Sequence, residues 1–535
     1  MRSVDPQNSS AARADAAEFG LRAANDSDRN STIVIVAITA LAAAVRLYHL
    51  GVPRLWTDEG WSYAIATMPP HAMWHIILTR ETNRGLYYVF LRVWVSLFGP
   101  SETFLRLPSV LASICAIRLT YACGRRMFSA AAGMIAAMLI AVSPLSVWFA
   151  RDATAYSLEI MFAAASLLFL LRTLEYPGFG NLSAWIVCSS LAVFMHSIAI
   201  AAVPAQLLPL AILDRRQVPW RRISIAALVF LITTVPLVLL IRHNDHGQVN
   251  WIPPLSWFAI GMALFGIANG MMSNFSGHLI VGAYGIGVLF GFAATIRAYD
   301  RSQSDSTPFF LAISGVLLPF TFVFAVSLLK PLLVFRYLIF CLPYLCLYVA
   351  GGIAAVRTRA TVIICTAILL ASSAWHTWDM LDHSPRYDWQ EAATYLLHRA
   401  HQGDALAVTY GPNRILLEYY LAKIGMPAGY LAPAFPDWSP DLFVNGHYFE
   451  DADAQQTLAM RLLDKIDATA ASKRRLWFVA AGESMAAFDR WASLPVIERR
   501  MSADYNSVNI QSLDGFTIIL CTGPRITAQI HPSRN

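Results

Sequence analysis

The sequence predicts a polytopic α-helical membrane protein of about eleven spans followed by a soluble α/β domain, and three observations carry that reading. Hydrophobic residues make up 56% of the 535 positions, charged residues only 14%, and the mean hydropathy is +0.49. A soluble protein, with about 25% charged residues, cannot hide that much apolar surface, whereas a bilayer accepts it. Apolar stretches near twenty residues long recur through the first part of the chain, and the composition turns mixed and polar from about Ser384.

The elements follow in order. Residues 1–30 are polar and of mixed charge and read as a cytoplasmic tail. The apolar run Ser31 to Leu50 lacks a convincing cleavage site and reads as an uncleaved first span. Basic clusters at Arg125-Arg126, Arg172, Arg215 to Arg222, Arg297 with Arg301, and Arg357 with Arg359 mark cytoplasmic loops by the positive-inside rule. Threading spans between them gives segments near 31–50, 103–123, 127–148, 153–172, 182–196, 197–213, 223–241, 278–297, 307–329, 337–355 and 360–376. This membrane domain occupies 31–383, with the N-terminus inside and the C-terminus outside. The pair flanking His196 is short and suggests a broken or kinked unit. Leu86 to Phe98, about 13 residues, is too short to cross about 30 Å of hydrocarbon and is expected to lie on the outer face.

Three extracytoplasmic stretches result: Gly51 to about Glu102, a short one at Arg151-Asp152, and Arg242 to about Gly277. Residues 384–535 form the extracytoplasmic α/β domain. It has a helical pattern at Trp389 to Ala400, a Gly-Asp turn and a strand-like run Ala405 to Tyr410. A helix-like stretch at Ala454 to Thr469 and alternation at Arg475 to Ala480 and Phe516 to Cys521 follow. Six of the seven cysteines lie in apolar stretches and Cys521 stands alone, so neither a disulfide framework nor a metal-type cysteine spacing can be built. A net charge of +6, from 40 basic and 34 acidic residues, does not point to nucleic acid.

The most informative stretch is Leu55-Trp56-Thr57-Asp58-Glu59-Gly60-Trp61-Ser62-Tyr63, immediately after the first span. Two adjacent carboxylates among aromatics at a membrane surface suit acceptance of a proton from an attacking hydroxyl, or binding of a cation or of sugar hydroxyls. They equally suit a helix N-terminus capped by Thr57 or Asp58. Lys330, the only lysine in the first 422 residues, and Arg336 flank the outer ends of the ninth and tenth spans. Two cations there suit a lipid-linked phosphate, or serve as snorkelling anchors. Arg106 near the outer boundary of the second span offers a further phosphate contact, while Arg118 and Glu159 read as structural pairing partners. His196 sits between two short apolar runs and suits either a contact in a polar cavity or an interhelical hydrogen bond. The loop Arg242 to Pro254 carries Trp251 among hydrogen-bonding residues and reads chiefly as a surface loop.

From Trp56 to Arg172 the chain resembles the membrane glycosyltransferases of the GT-C fold, in the bacterial branch related to protein O-mannosyltransferases and the lipid A aminoarabinose transferase. The resemblance rests on Leu55-Trp56-Thr57-Asp58-Glu59; on Leu86-Tyr87-Tyr88 with Trp94 and Leu97-Phe98-Gly99; and on Ser101-Glu102 with Leu105-Arg106-Leu107-Pro108-Ser109. It continues through Gly124-Arg125-Arg126-Met127-Phe128, Ser143-Pro144, and Trp148-Phe149-Ala150-Arg151-Asp152-Ala153 with Tyr156, while Arg336-Tyr337-Leu338 and Pro343 match a later feature. The chain departs from the family at Asp152 and Thr154, where many relatives have Glu and Arg, and at Asn83-Arg84-Gly85, where many have His-Pro-Pro.

The resemblance implies an inverting transferase in the inner (plasma) membrane. Its donor is a sugar on polyprenyl phosphate, and its acceptor is a glycan, lipid or protein on the outer face. It implies Asp58 as base, with Glu59 and Asp152 supporting it or holding a divalent cation if one is used. Lys330, Arg336 and Arg106 then meet the donor phosphate, and Tyr63, Tyr87, Tyr156, His196 and Trp251 are the candidate sugar or acceptor contacts. A transporter or a non-catalytic scaffold of envelope glycan assembly is the alternative. A transporter predicts internal repeats and mid-membrane ionisable residues, whereas the polar residues here cluster at span ends.

Overall fold

The computed structural model of the protein describes residues 31–213, 218–244, 249, 252, 254–270, 275–382, 387–408, 411–435, 475–481, 494–513 and 515–525. Helices α1 (Ser31–Leu47), α2 (Thr57–Thr67), α3 (Pro70–Thr79), α4 (Gly85–Phe98), α5 (Glu102–Met127), α6 (Ala130–Val142) and α7 (Pro144–Ala150) come first. Then come α8 (Tyr156–Glu175), α9 (Phe179–Met195), α10 (Ala202–Leu213), α11 (Trp220–His243), α12 (Trp257–Asn269), α13 (Phe275–Arg301), α14 (Gln303–Ser327), α15 (Leu342–Ala354) and α16 (Arg359–Asp382). Short 3-10 segments at Thr82–Arg84, Ser197–Ala201 and Phe335–Cys341 lead into α4, α10 and α15.

Among the described residues, seven helical units are long and apolar enough to cross a membrane: α5, α8, α11, α13, α14, Phe335–Ala354 and α16. α6 and α7 make an eighth as a pair bent by 56°. The other three expected spans are present as shorter apolar helices: α1, α9 and the Ser197–Ile212 unit, with His196 in extended backbone at the break between the last two. The polytopic helical fold read from the sequence is therefore observed. α4 is 14 residues long, short of a span, and α12 is a helix inside the stretch from Arg242 to about Gly277 expected to be extracytoplasmic.

Buried arginines explain how the bundle tolerates its breaks. The α6–α7 bend falls at Ser143-Pro144, where proline contributes no N–H and carbonyls of the preceding turn lose their helical partners. Arg46 of α1, with no exposed surface, donates to Ile140 O (3.2 Å) and Ala141 O (2.8 Å) at that break, and to Ala42 O, Ser113 Oγ and Ser146 Oγ. Arg151 similarly donates to Val45 O at 3.1 Å and to Tyr48 O, closing the end of α1. Elsewhere the helices approach through small residues: a Cβ on Gly352 of α15 would lie 2.3 Å from the backbone N of Gly291 of α13, so glycine sets that contact distance.

The C-terminal unit holds α17 (Trp389–Arg399), β1 (Ala405–Val408), α18 (Gly411–Lys423), β2 (Ala432–Phe435), β3 (Arg475–Ala481), α19 (Leu494–Asp504), β4 (Tyr505–Leu513) and β5 (Phe516–Pro524). The strands form a mixed sheet in the order β2-β1-β3-β5-β4. β1 is parallel to β2 and β3, whereas β5 is antiparallel to β3 and β4. The sequence pattern finds α17, β1, β3 and β5. It misses the short strand β2, the edge strand β4 with its mostly exposed polar side chains, and both α18 and α19. The helix-like stretch Ala454 to Thr469 lies outside the described residues.

This unit shares a hydrophobic core with the first loop: Leu55, Ile65, Tyr87 and Leu91 belong to one buried cluster with Leu416, Tyr420, Trp477 and Ile518. The Tyr420 hydroxyl accepts the Leu55 N–H at 2.8 Å, Tyr419 donates to Pro100 O, Lys423 pairs with Glu102, and Arg54 grips Asp388 at 2.8 and 3.3 Å. The α/β unit thereby clamps the loop that carries the acidic pair.

Candidate active site

The site grows from the start of α2. That helix begins at Thr57, and its Trp56 N–H donates to the Glu59 side chain at 3.3 Å, so Glu59 rather than Thr57 or Asp58 serves the helix terminus. Glu59 is fully buried and takes two hydrogen bonds from Arg106, at 2.6 and 2.8 Å, plus the Ala153 N–H at 3.0 Å. Arg106, also unexposed, gives its remaining donors to Leu50 O, Pro53 O and Arg54 O. With all five N–H groups engaged, Arg106 has nothing to offer a phosphate, which corrects the expectation drawn for it. Glu59 likewise has no face turned to a substrate, and together the two fasten the first loop to α5.

Asp152 has no exposed surface. It accepts the indole N–H of Trp56 and, at 3.3 Å, the Thr154 hydroxyl. The two loops interlock reciprocally: the second loop's acid holds Trp56, and the first loop's acid holds Ala153. Asp152 therefore stands as a positioning residue for the strand of chain that leads into Asp58.

Asp58 differs from both. Its carboxylate lies 3.5 Å from the Arg336 guanidinium, with side chains 17% and 16% exposed. At that distance the pair is at the outer limit of a hydrogen bond, a loose contact beside the tight Glu59–Arg106 pair. Arg336 is carried by the 3-10 segment Phe335–Cys341. Behind it α12 packs so closely that a Cβ on Gly266 would fall 2.5 Å from the Phe335 Cβ. Rings complete the wall: Tyr337 lies 4.7 Å from His196, and His196 lies 5.8 Å from Tyr156. Among the described residues, His196 Nδ1 is a buried polar atom without a hydrogen-bond partner.

A second cation was not foreseen. Arg84, in the turn Thr82–Arg84, pairs with Glu81 at 3.4 Å and lies over the Tyr88 ring at 5.9 Å, while Tyr88 donates to Glu81 at 3.0 Å. The turn is anchored by the Asn83 side-chain Oδ1, which accepts the Ser197 N–H at 2.8 Å, and by the Thr82 hydroxyl donating to Ile77 O. Burial pulls the Arg84 guanidinium down, but Tyr88, Glu81, Tyr156 and Asp58 outweigh it and hold it well above the usual arginine range. Arg84 thus stays charged within electrostatic reach of Asp58. The signal in the sequence was the Asn83-Arg84-Gly85 departure itself.

Tyr63 points to the C-terminal unit, its ring 4.8 Å from Tyr419. Tyr87 is enclosed beneath the two loops, where burial and then Asp152 push its hydroxyl far above the ordinary tyrosine range. Lys330 is partly exposed in the turn after α14, its amide bonded to Val326 O. Trp251 lies outside the described residues. Arg118 is exposed while Glu159 is buried without a hydrogen-bond partner among the described residues, so the two do not pair. Among the described residues no group of three or more His, Cys, Asp or Glu side chains comes together to hold a metal ion, and Asp152 is committed to Trp56 and Thr154. The residues present do not fit a divalent cation between Asp58 and Asp152.

Residues 86–240 match the family model described as dolichyl-phosphate-mannose-protein mannosyltransferase. The fold is similar to that of ArnT from Cupriavidus metallidurans in the apo state, with a TM-score of 0.59 and 14% identity over 93% of this chain and 100% of that one. ArnT bound to undecaprenyl phosphate gives 0.56 and 14%, over 92% and 99%. The apo oligosaccharyltransferase of Archaeoglobus fulgidus gives 0.57 and 12%, over 91% and 74%. No curated protein matches the sequence. At these identities the structural likeness is one of fold, and the resemblance read from the motifs agrees with it. The chain is a polytopic α-helical membrane protein with the GT-C fold that these solved structures share.

Proposed function

We propose that this protein transfers a sugar, with inversion, from a polyprenyl-phosphate-linked donor to an acceptor hydroxyl of an envelope glycan, lipid or protein at the outer face of the membrane. The observation that carries the reading is the partly exposed Asp58–Arg336 pair, at the bundle end where two other acids are buried and occupied. In the step, Asp58 takes the acceptor's proton as the new bond to the anomeric carbon forms. The bond from that carbon to the phosphate oxygen breaks with its electrons going to the polyprenyl phosphate. Arg336 exchanges its loose contact with Asp58 for the phosphate, which frees the carboxylate and stabilises the charge that develops on the leaving group. Arg84 adds a second fixed cation. The match over residues 86–240 supports the donor class, as do the undecaprenyl phosphate bound by ArnT and the dolichol-phosphate in a complex of the archaeal oligosaccharyltransferase. Polar groups gathered at helix ends weigh against a transporter.

The test compares lipid-linked sugars and envelope glycans from cells carrying the wild-type protein, Asp58→Asn or no protein. The expected result is a glycan restored by the wild type and absent with Asp58→Asn at normal membrane levels. A variant that restores it fully removes Asp58 as base.

A further inference from the structure

At the other end of the bundle lies a cleft of about 440 Å³, lined by Tyr121, Ala122, Arg125 and Arg126 of α5 and Glu175 of α8. A wider cleft of about 670 Å³ over α17 has balanced acids and bases, whereas the smaller one carries an excess of positive charge. Arg125 and Arg126 line it with a single carboxylate, Glu175, and Arg172 stands one turn before Glu175 on α8. Arg126 Nε lies 3.5 Å from Glu175, and the Arg172 guanidinium lies over the Phe169 ring at 5.5 Å. From Glu102, beside the candidate active site, to Arg125 the α5 helix rises about 35 Å at 1.5 Å per residue. That is slightly more than the hydrocarbon thickness, so the cleft sits at the headgroup level of the opposite leaflet. Below it the partly exposed rings and methyls of Tyr121 and Ala122 continue as an apolar wall along α5.

We propose that this cleft binds the phosphate headgroup of an anionic phospholipid, its acyl chains lying along α5 and α8. Juxtaposed arginines at this depth provide the charge, Glu175 fixes the direction of Arg126, and the apolar wall favours a lipid over a free anion. The site is separate from the proposed transfer reaction and stands or falls independently of it.

The test uses the full chain purified in mild detergent, delipidated, and titrated with phosphatidylglycerol or phosphatidylcholine under native mass spectrometry. Selective phosphatidylglycerol binding is expected, weakened roughly thirty-fold in R125Q/R126Q, from about 1 kcal/mol for each basic residue near the surface. It should be unchanged in R357Q, an exposed arginine of the α15–α16 turn. Thermal melting in detergent confirms that the double variant is folded. Equal binding of both lipids, or equal loss in R357Q, would mean diffuse surface charge and overturn the proposal. Displacement of the lipid by millimolar inorganic phosphate would overturn it in favour of a free-phosphate site.

Discussion

Glu59 and Arg106 meet through two hydrogen bonds of 2.6 and 2.8 Å with neither side chain exposed, and that contact ties the loop bearing Asp58 to a membrane helix. Removing one member of such a pair leaves a buried charge uncompensated, at about 3–5 kcal/mol. Glu59→Gln is therefore expected to lower the melting temperature in detergent and the folded yield sharply. Asp58→Asn, one residue earlier and partly exposed, should leave both near wild type. Equal effects of the two substitutions on stability would contradict the division of labour between these neighbours.

The converse holds for turnover. Asp58→Asn should cost about 10²- to 10⁴-fold in transfer rate, the usual worth of a general base, and Arg336→Ala about 10²- to 10³-fold, the usual worth of one donor aimed at developing charge. Single-turnover transfer from a synthetic polyprenyl-phosphate sugar measures both. Because the guanidinium is proposed to act on the leaving group, Arg336→Lys should recover part of the rate that Arg336→Ala loses.

Asp152 is expected to act through Trp56, whose indole N–H it accepts. Asp152→Asn keeps an acceptor oxygen for that N–H and should be milder than Asp152→Ala. Trp56→Phe combined with Asp152→Ala should cost less than the sum of the two, since each already removes the same contact. Strict additivity in a double-mutant cycle would separate the two residues.

Gly266 faces Phe335 with room for no Cβ. Gly266→Ala should cost about 1–3 kcal/mol through overpacking and shift the segment carrying Arg336, lowering transfer as well as stability. Gly60→Ala is the comparison: its Cβ would meet the Leu416 Cδ2 at 2.8 Å, the far end of a flexible side chain, and should be tolerated better. Melting temperature and transfer rate for the two variants decide it.

The clamp between the C-terminal unit and the first loop divides into a surface ion pair and a buried contact. Arg54 and Asp388 are 27% and 46% exposed, so Arg54→Ala should change stability by no more than about 1 kcal/mol. Tyr420→Ala empties a buried ring site and strands the Leu55 N–H, and should cost about 3–5 kcal/mol. Denaturation in detergent at two salt concentrations tests both, with only the Arg54 effect expected to depend on salt.

The membrane class and the positions of the apolar helices were legible in the chain. Apolar length and arginine-marked loops are one-dimensional signals, and helices satisfy their own backbone within each segment. The sequence also singled out Asp58, because an acidic pair among aromatics after a span is a local pattern. Tertiary structure decided which of the two acids does what: successive helix residues point about 100° apart, so Glu59 turns into Arg106 while Asp58 turns towards Arg336. It also decided the fate of Arg106, which reads as a phosphate ligand until its five donors are seen to be taken, and of Arg84, which reads as a lost motif until the fold brings Tyr156 and Asp58 near it. Those assignments depend on partners many residues apart in the chain, brought together only by packing between helices, and no local pattern encodes them.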